Sequence, residues 1–210
     1  MENYKVVFLG LTGNGKTCLI RNICDEPYDD LIRSTAGAGY YSKILTNSLG
    51  KINLDIWDTG GRETNNWGNR HFYKNAHCVI LCFEFTGKES FKMIKDYYYP
   101  TIEYELGDYP LIYLVGNKID LYESSDVSIE EAESYAKEVN IKYFGVSAKT
   151  GEGVKELLED IANSLIIKFK RKIDNEDQNL IREITKDGTE IKRLNIKEKI
   201  EIILNKFCNY

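Results

Sequence analysis

Short apolar runs and longer amphipathic stretches alternate along most of the chain. The short runs predict buried strands at Lys5–Leu9, Tyr40–Thr46, Lys51–Trp57, Cys78–Phe85, Leu111–Val115 and Lys142–Val146. The longer stretches predict helices at Lys16–Cys24, Glu89–Tyr99, Ile129–Val139 and Gly153–Lys168. A turn at Asn47–Gly50 makes the second and third strands a hairpin. This order predicts an α/β fold: a six-stranded, mostly parallel sheet with one antiparallel strand and helices on both faces.

The pattern changes after residue 170. Asp174–Gln178 is polar and linker-like, and Asp187–Gly188 is a hairpin turn signal. Apolar residues then recur at helical spacing and predict an amphipathic helix near 196–207: Ile196, Ile200, Ile203, Leu204 and Phe207. We therefore expect a domain over 1–169 and a C-terminal extension over 170–210. The apolar stripe must be buried against that domain, a second chain or a further domain.

Composition narrows the class of protein. The 210 residues are 42% hydrophobic and 29% charged, which is typical of a globular chain, and the net charge of −5 disfavours nucleic-acid binding. Five scattered cysteines without metal-ligand spacing favour a reducing compartment. The first predicted strand leaves no room for a signal peptide, and no apolar run approaches the roughly 20 residues that span a bilayer. We expect a cytoplasmic protein.

The segment Gly10–Thr17, with the sequence GLTGNGKT, joins the first strand to the first helix. Its glycines let the backbone curl so that successive N–H groups point inward at the positive end of a helix dipole, which favours phosphate binding. At this spacing Lys16 reaches the β- and γ-phosphates, and the Thr17 hydroxyl binds Mg²⁺. A glycine-rich turn that binds nothing is the weaker alternative, because a strand and a helix flank the segment.

Three more strands end in residues that extend this chemistry. Asp58 follows the third strand, where Mg²⁺ would be held, and Gly61 lets a backbone N–H approach the γ-phosphate. An ordinary turn explains this segment equally well when it is taken alone. In Asn117–Asp120, the Asp120 carboxylate accepts from both N1–H and the exocyclic amine of guanine, a pair of donors that adenine lacks. Ser147–Lys149 follows the sixth strand at the same edge of the sheet.

In this order, GLTGNGKT, Thr35, WDTGG, NKID and SAK resemble the Ras-like small GTPases over about Tyr4–Phe169. The chain is most similar to the Rab branch, through the segments Trp57–Glu63, Phe72–His77 and Phe85–Phe91. The resemblance implies a P-loop NTPase G domain that binds GTP and GDP with Mg²⁺ and hydrolyses GTP. It also implies a conformational switch in vesicle or membrane traffic, associated peripherally with membranes.

The resemblance assigns roles to individual residues. The catalytic positions are Lys16, Thr35, Gly61 and Arg62, and the Mg²⁺ positions are Thr17, Thr35 and Asp58. The phosphates would contact Gly13, Asn14, Gly15, Lys16, Thr17 and Cys18, with Thr35, Asp58 and Gly61 close by. The base would contact Tyr28, Asn117, Lys118 and Asp120, supported by Ser147, Ala148 and Lys149.

Two segments would act as switches and bind effector and regulator proteins. They are Asp30–Tyr40 and Gly60–Tyr73. Such loops order on the γ-phosphate and relax after its loss. Three aromatic residues match a trio that shapes Rab effector surfaces, and they can pack as ordinary apolar residues at the same time: Tyr40, Trp57 and Phe72.

The chain departs from the family at Arg62, where the family has the glutamine that orients the attacking water. A guanidinium has only donors and cannot accept from water, so it cannot position that water in the same way. We favour slow hydrolysis and a long-lived GTP state. Two other interpretations stay open: the arginine stabilises transition-state charge, or a partner supplies the missing chemistry. The alternative function is a hydrolysis-deficient interaction module that stays loaded with GTP.

Smaller departures lie elsewhere. Thr12 places a β-branched side chain where the family has a small residue, and we expect it to crowd the γ-phosphate. Ala36 and Gly39 replace bulky and acidic residues of the first switch, which argues against recognition by ordinary Rab effectors.

Cys208 lies third from the end without a partner cysteine, so we expect no prenyl anchor. The basic run Lys168–Lys172 is more typical of a solvated helix end than of a lipid contact. We expect a monomer, or pairing through the C-terminal stripe.

Overall fold

The computed structural model describes residues 1–32, 34–35, 37–61 and 70–170. The strands among them are β1 (Glu2–Leu9), β2 (Ala38–Asn47), β3 (Gly50–Thr59), β4 (Cys78–Glu84), β5 (Leu111–Asn117) and β6 (Lys142–Gly145). The α-helices are α1 (Lys16–Ile23), α2 (Arg70–Tyr73), α3 (Lys88–Met93), α4 (Tyr99–Leu106), α5 (Ile129–Glu138) and α6 (Val154–Leu165). Shorter helical elements are π turns at Ile94–Tyr98 and Ile166–Lys170 and a 3₁₀ helix at Ile119–Ser124.

The strands form one six-stranded sheet in the order β2-β3-β1-β4-β5-β6. Strands β2 and β3 pair antiparallel, and the other neighbours in this sheet pair parallel, which confirms the predicted fold class. In the register, Phe8 lies beside Asp58, and Glu84 lies beside Asn117. The segment Gly10–Thr17 (the P-loop), Asp58 and the segment after Asn117 therefore leave the sheet at the same edge.

Alternating side chains of the central strands supply a core on each face of the sheet. Val7 and Leu9 of β1 are buried in one core with Phe91 and Ile94, from the helical segment after β4. Phe8 is equally buried but, because strand side chains alternate, it points to the opposite face. The central strands are thus covered on both sides, as a mostly parallel sheet requires.

The helix predicted to end at Tyr99 continues to Leu106, through Pro100. A proline inside an α-helix normally clashes with the carbonyl four residues earlier. Here the preceding π turn widens the helix, and the N–H of Tyr99 donates to the carbonyl of Ile94, five residues back. Pro100 then occupies the first turn of α4, where its missing N–H costs little.

The chain divides into two units, Met1–Ile166 and Ile167–Tyr210, and the six strands of the described residues lie in the first. The helix predicted near 196–207 and Cys208 lie outside the described residues, as does the basic run beyond Lys170. In the part of the chain that is described, no helix combines the length and the apolar character that crossing a bilayer requires.

Candidate functional site

The P-loop curls over the N-terminus of α1. Gly15 begins that helix with φ 77°, in the left-handed region that favours glycine. It also has no room for a side chain, because a Cβ there would lie 2.4 Å from Nδ2 of Asn117. The loop therefore presents its N–H groups at a helix N-terminus, an arrangement that suits phosphate oxygens.

Lys16 lies folded within this loop and is only 5% exposed. Its Nζ donates to the carbonyl oxygens of Gly10 and Leu11, at 2.8 and 2.9 Å. These neutral acceptors hold the ammonium at the loop. Phosphate oxygens carry full charge and make stronger, charge-assisted hydrogen bonds with an ammonium. Lys16 is therefore placed to exchange these carbonyls for a phosphate.

Three predicted Mg²⁺ ligands converge beside the P-loop. Oδ2 of Asp58 lies 2.6 Å from Oγ1 of Thr17 and 3.2 Å from Oγ1 of Thr35, and the two hydroxyl oxygens are 2.7 Å apart. The other carboxylate oxygen, Oδ1, is buried and accepts no hydrogen bond within the described part of the chain. Burial raises the pKa of Asp58, although hydrogen bonds from Thr17 and Thr35 and the charge of Lys16 oppose this.

This cluster fits a magnesium ion. Mg²⁺ prefers oxygen ligands and is usually held by one or two carboxylates together with substrate phosphates. One carboxylate and two hydroxyls supply such a donor set, and a cation would satisfy the buried oxygen of Asp58 that lacks a partner. Among the described residues, no cluster of three or more His, Cys, Asp or Glu side chains offers a competing metal site.

The segment after Asp58 is hydrogen-bonded to the P-loop and to Gly37, which lies in the predicted first switch. Thr12 donates its hydroxyl to the carbonyl of Gly60 at 2.7 Å and its N–H to the carbonyl of Gly61 at 3.3 Å. The N–H of Gly60 donates to the carbonyl of Gly37 at 3.0 Å. A Cβ on Gly61 would lie 2.3 Å from the nitrogen of Thr12, so only glycine fits there. The Thr12 side chain thus hydrogen-bonds Gly60, at the start of the predicted second switch, a contact that its sequence position did not reveal.

Two adjoining cavities lie along this edge of the sheet. One, of about 130 Å³, is lined by Thr12, Gly13, Gly15, Lys16, Thr17, Cys18, Ile32, Ser34, Thr35, Thr59 and Gly60. The other, of about 390 Å³, is lined by Gly13, Gly15, Cys18, Tyr28, Asp29, Asp30, Ile32, Asn117, Lys118, Asp120, Leu121, Ala148 and Lys149. The larger cavity falls within the size range of small-molecule pockets. They share Gly13, Gly15, Cys18 and Ile32, so one elongated ligand can occupy both.

The larger cavity presents the carboxylate of Asp120. The buried Ser147 donates its hydroxyl to Oδ1 of Asp120 at 2.6 Å and accepts from the N–H of Thr150 at 3.1 Å. Asn117 accepts from the N–H of Ala148 at 3.0 Å. These contacts join the loops after β5 and β6 and fix the orientation of the carboxylate. Tyr28, 41% exposed, lines the same cavity, so the predicted base contacts are brought together.

Glu84 is a further residue of this region that sequence reasoning missed. Its carboxylate forms an ion pair with the Nζ of Lys118. Lys118 has φ 64°, and its Cε lies 4.0 Å from the position that a Cβ on Gly15 would occupy. The lysine is therefore held between the P-loop and the end of β4. A charged residue that closes an otherwise apolar strand is the signal that would have indicated Glu84.

The predicted switch surfaces are only partly described. Tyr40 is 57% exposed, packs edge to face on Trp57 at 5.6 Å and donates its hydroxyl to Asp55 at 2.7 Å. Phe72 is half-buried in α2. Arg62 and Ala36 lie outside the described residues, so their predicted roles stay predictions.

Comparison with known proteins identifies the family. The model of the Ras family matches residues 5–167. Ras-related protein Rab-21 of Homo sapiens is 35% identical over 164 residues, which cover 78% of this chain and 72% of the relative. Ras-related protein Rab-30 of Homo sapiens is 34% identical over 170 residues, which cover 79% of this chain and 83% of the relative. The chain therefore belongs to the Ras family and is a Rab-like small GTPase.

Proposed function

We propose that this protein is a guanine-nucleotide switch that binds GTP and GDP with Mg²⁺ and hydrolyses GTP slowly. The convergence of Thr17, Thr35 and Asp58 at one end of the joined cavities carries the proposal. Asp120, at the other end, supplies the acceptor that guanine requires. A nucleotide that spans both cavities can contact both ends of the site through its phosphates and its base, whereas a free phosphate or a free base can contact only one end.

The proposed reaction is attack of water on the γ-phosphate in line with the bond that breaks. Lys16 and the N–H groups of the P-loop stabilise charge on the transferring group and on the leaving oxygen, and the N–H of Gly61 approaches the γ-phosphate. Thr17, Thr35 and Asp58 would hold Mg²⁺, which would neutralise charge on the phosphate oxygens. Because Thr35 belongs to the first switch, its release after loss of the γ-phosphate would change the shape of that segment.

Slow turnover follows from Arg62, which lacks an acceptor for the attacking water. A protein that keeps GTP for a long time presents its switch surface for a long time. The alternative function is an interaction module that does not hydrolyse its GTP. In either function, the exposed Tyr40 and the neighbouring Trp57 would form part of the effector surface. The protein would act at cytoplasmic membranes in vesicle traffic.

The nucleotide carried by the purified protein distinguishes these functions. We expect denatured protein to release about one guanine nucleotide per chain, with a measurable fraction as GTP. Unaided Ras, at roughly 3–5 × 10⁻⁴ s⁻¹, converts its GTP with a half-life of about half an hour, so a protein that is about 10- to 100-fold slower should convert it with a half-life of several hours to about two days. GTP that never converts would favour the interaction module. Adenine nucleotide in the extract would contradict both functions.

Removal of one Mg²⁺ ligand should uncouple nucleotide release from the metal. In Thr17→Val the hydroxyl that lies 2.6 Å from Asp58 is lost while the shape of the side chain is kept. We expect EDTA to accelerate GDP release from the wild type at least about fivefold and from the variant less than about twofold. Mg²⁺ stabilises the GDP-loaded state by its own binding free energy, and a variant that binds Mg²⁺ weakly has little of this stabilisation to lose. Release of a fluorescent GDP analogue measures this.

The matched control is Thr46→Val, which removes an exposed hydroxyl of β2 away from both cavities. It should respond to EDTA as the wild type does. An equal EDTA response of Thr17→Val and the wild type would contradict the assignment of Thr17 as a metal ligand.

A further inference from the structure

The side chain of Asn14 occupies an unusual place in the P-loop. It is 1% exposed, and its Nδ2 donates to the carbonyl oxygen of Cys82 at 2.8 Å. Its role in phosphate binding was predicted for the loop backbone, and a backbone N–H is available from any residue except proline. The buried amide therefore requires a separate explanation.

The end of the β1–β4 pairing explains why Cys82 needs this donor. The pairing of β1 with β4 stops at Leu9 and Leu81, after which β1 turns away into the P-loop. The Cys82 carbonyl faces that turn, because a Cβ on Gly10 would lie 2.1 Å from its oxygen. A buried carbonyl without a hydrogen bond costs free energy, and the Asn14 amide supplies one where the strand no longer does.

A second contact reaches Asn14 from the base side of the site. The backbone oxygen of Asn14 accepts from Nδ2 of Asn117 at 2.8 Å, and Oδ1 of Asn117 accepts from the N–H of Ala148. The loops after β5 and β6 are thereby linked to the same residue that bonds β4. Asn14 is a junction of the P-loop, the sheet and the base-binding loops.

The neighbours of Asn14 make this junction important for the loop's shape. Gly13 and Gly15 flank it with φ 92° and 77°, and a Cβ on Gly13 would meet nothing within 4 Å. Glycine has the largest conformational freedom of all residues. The peptide groups on either side of Asn14 can therefore rotate unless Asn14 itself is fixed. Rotation would turn the N–H groups away from the point where they converge on phosphate.

We infer that the Asn14 side chain is a positioning residue, which holds the P-loop in its phosphate-binding shape in the absence of nucleotide and thereby slows nucleotide release. The inference rests on the proposed guanine-nucleotide binding and adds a determinant of its lifetime. The side chain acts through the carbonyl of Cys82, whereas the contact with Asn117 uses the backbone oxygen of Asn14 and does not depend on the side chain. The side chain does not select the base, which is the task of Asp120.

The experiment compares Asn14→Val with Asn53→Val. Valine at position 14 fills a similar volume but has no donor for the carbonyl of Cys82. Asn53 is also a buried asparagine, 7% exposed, but its partners are Ser42 and Asp55, and it lines neither cavity. We expect Asn14→Val to release a fluorescent GDP analogue about tenfold faster, since an unsatisfied buried acceptor weakens the loop. Asn53→Val should release it within about twofold of the wild-type rate.

Two further readouts separate positioning from general destabilisation. The preference for GDP over ADP should be unchanged in Asn14→Val, because the Asp120 carboxylate is untouched. The unfolding temperature of the two variants saturated with nucleotide gives their overall stability. If both variants release GDP equally fast, or if Asn14→Val releases it at the wild-type rate, the inference is overturned.

A milder variant covers the case in which Asn14→Val does not fold. In Asn14→Ser the hydroxyl oxygen is one bond nearer to the backbone than the amide nitrogen, so it falls short of the Cys82 oxygen. We expect its release to be severalfold faster than that of the wild type, and a wild-type rate would overturn the inference. If the wild type does not bind GDP, both the proposed function and this inference are contradicted. If the wild type binds GDP but the variants release it at the wild-type rate, only the inference is contradicted.

Discussion

Asp120→Asn should weaken GDP and GTP binding by at least about a thousandfold, because a site built for hydrogen bonds discriminates strongly once a partner is lost. The carboxylate would accept two hydrogen bonds from guanine, whereas an amide would accept only one and direct its own N–H groups at the exocyclic amine. Xanthine has a carbonyl at that position. The variant should therefore bind xanthine nucleotides better than the wild type does, and competition against a fluorescent GDP analogue measures both changes.

The matched control for this change is Glu123→Gln. Glu123 belongs to the same 3₁₀ helix, Ile119–Ser124, but it is exposed and does not line the cavity. Its guanine affinity should equal that of the wild type within about twofold. Unchanged GDP affinity of Asp120→Asn would contradict the assignment of Asp120 as the residue that recognises the base.

Arg62→Gln should accelerate hydrolysis of preloaded GTP by on the order of 10- to 100-fold in a single-turnover measurement. Glutamine can accept from the attacking water and donate to the γ-phosphate, whereas arginine can only donate. We expect the wild type to fall well below the roughly 3–5 × 10⁻⁴ s⁻¹ of unaided Ras and the glutamine variant to approach that rate.

Arg62→Lys is the control that separates charge from water positioning. Lysine keeps the positive charge and also lacks an acceptor, so its hydrolysis should stay as slow as that of the wild type. A wild type as fast as unaided Ras, together with a slower glutamine variant, would show that Arg62 assists the reaction by stabilising charge. Slow hydrolysis in all three proteins would point to a partner that supplies the missing chemistry.

Much of the site could be predicted because its residues lie in short motifs at strand ends. In a mostly parallel sheet the carboxyl ends of the strands meet at one edge, so the order of the motifs is enough to bring them together. Thr17 and Asp58 are 41 positions apart, yet their oxygens lie 2.6 Å from each other. Asp120 and Ser147 meet at 2.6 Å for the same reason.

The contacts between these motifs could not be predicted, because they depend on register and on side-chain direction. The amide of Asn14 reaches the carbonyl of Cys82 because the pairing of β1 with β4 ends at Leu9 and Leu81, one residue before Cys82. Glu84 meets Lys118 through the pairing of β4 with β5, which places Glu84 beside Asn117. The hydroxyl of Thr12 bonds Gly60 instead of pointing freely at the phosphate position. No local pattern in the sequence encodes such distances.

Thermal unfolding of the nucleotide-free protein tests the proposed guanine-nucleotide binding most directly. GDP with Mg²⁺ at about 100 times its dissociation constant should stabilise the protein by about 2.7 kcal/mol, which raises the unfolding temperature by roughly 5–10 °C for a chain of this size. Without Mg²⁺ the rise should be smaller, and ADP with Mg²⁺ should give no rise at the same concentration. An equal rise with ADP, or no rise with either nucleotide, would contradict the assignment of this site to guanine nucleotides.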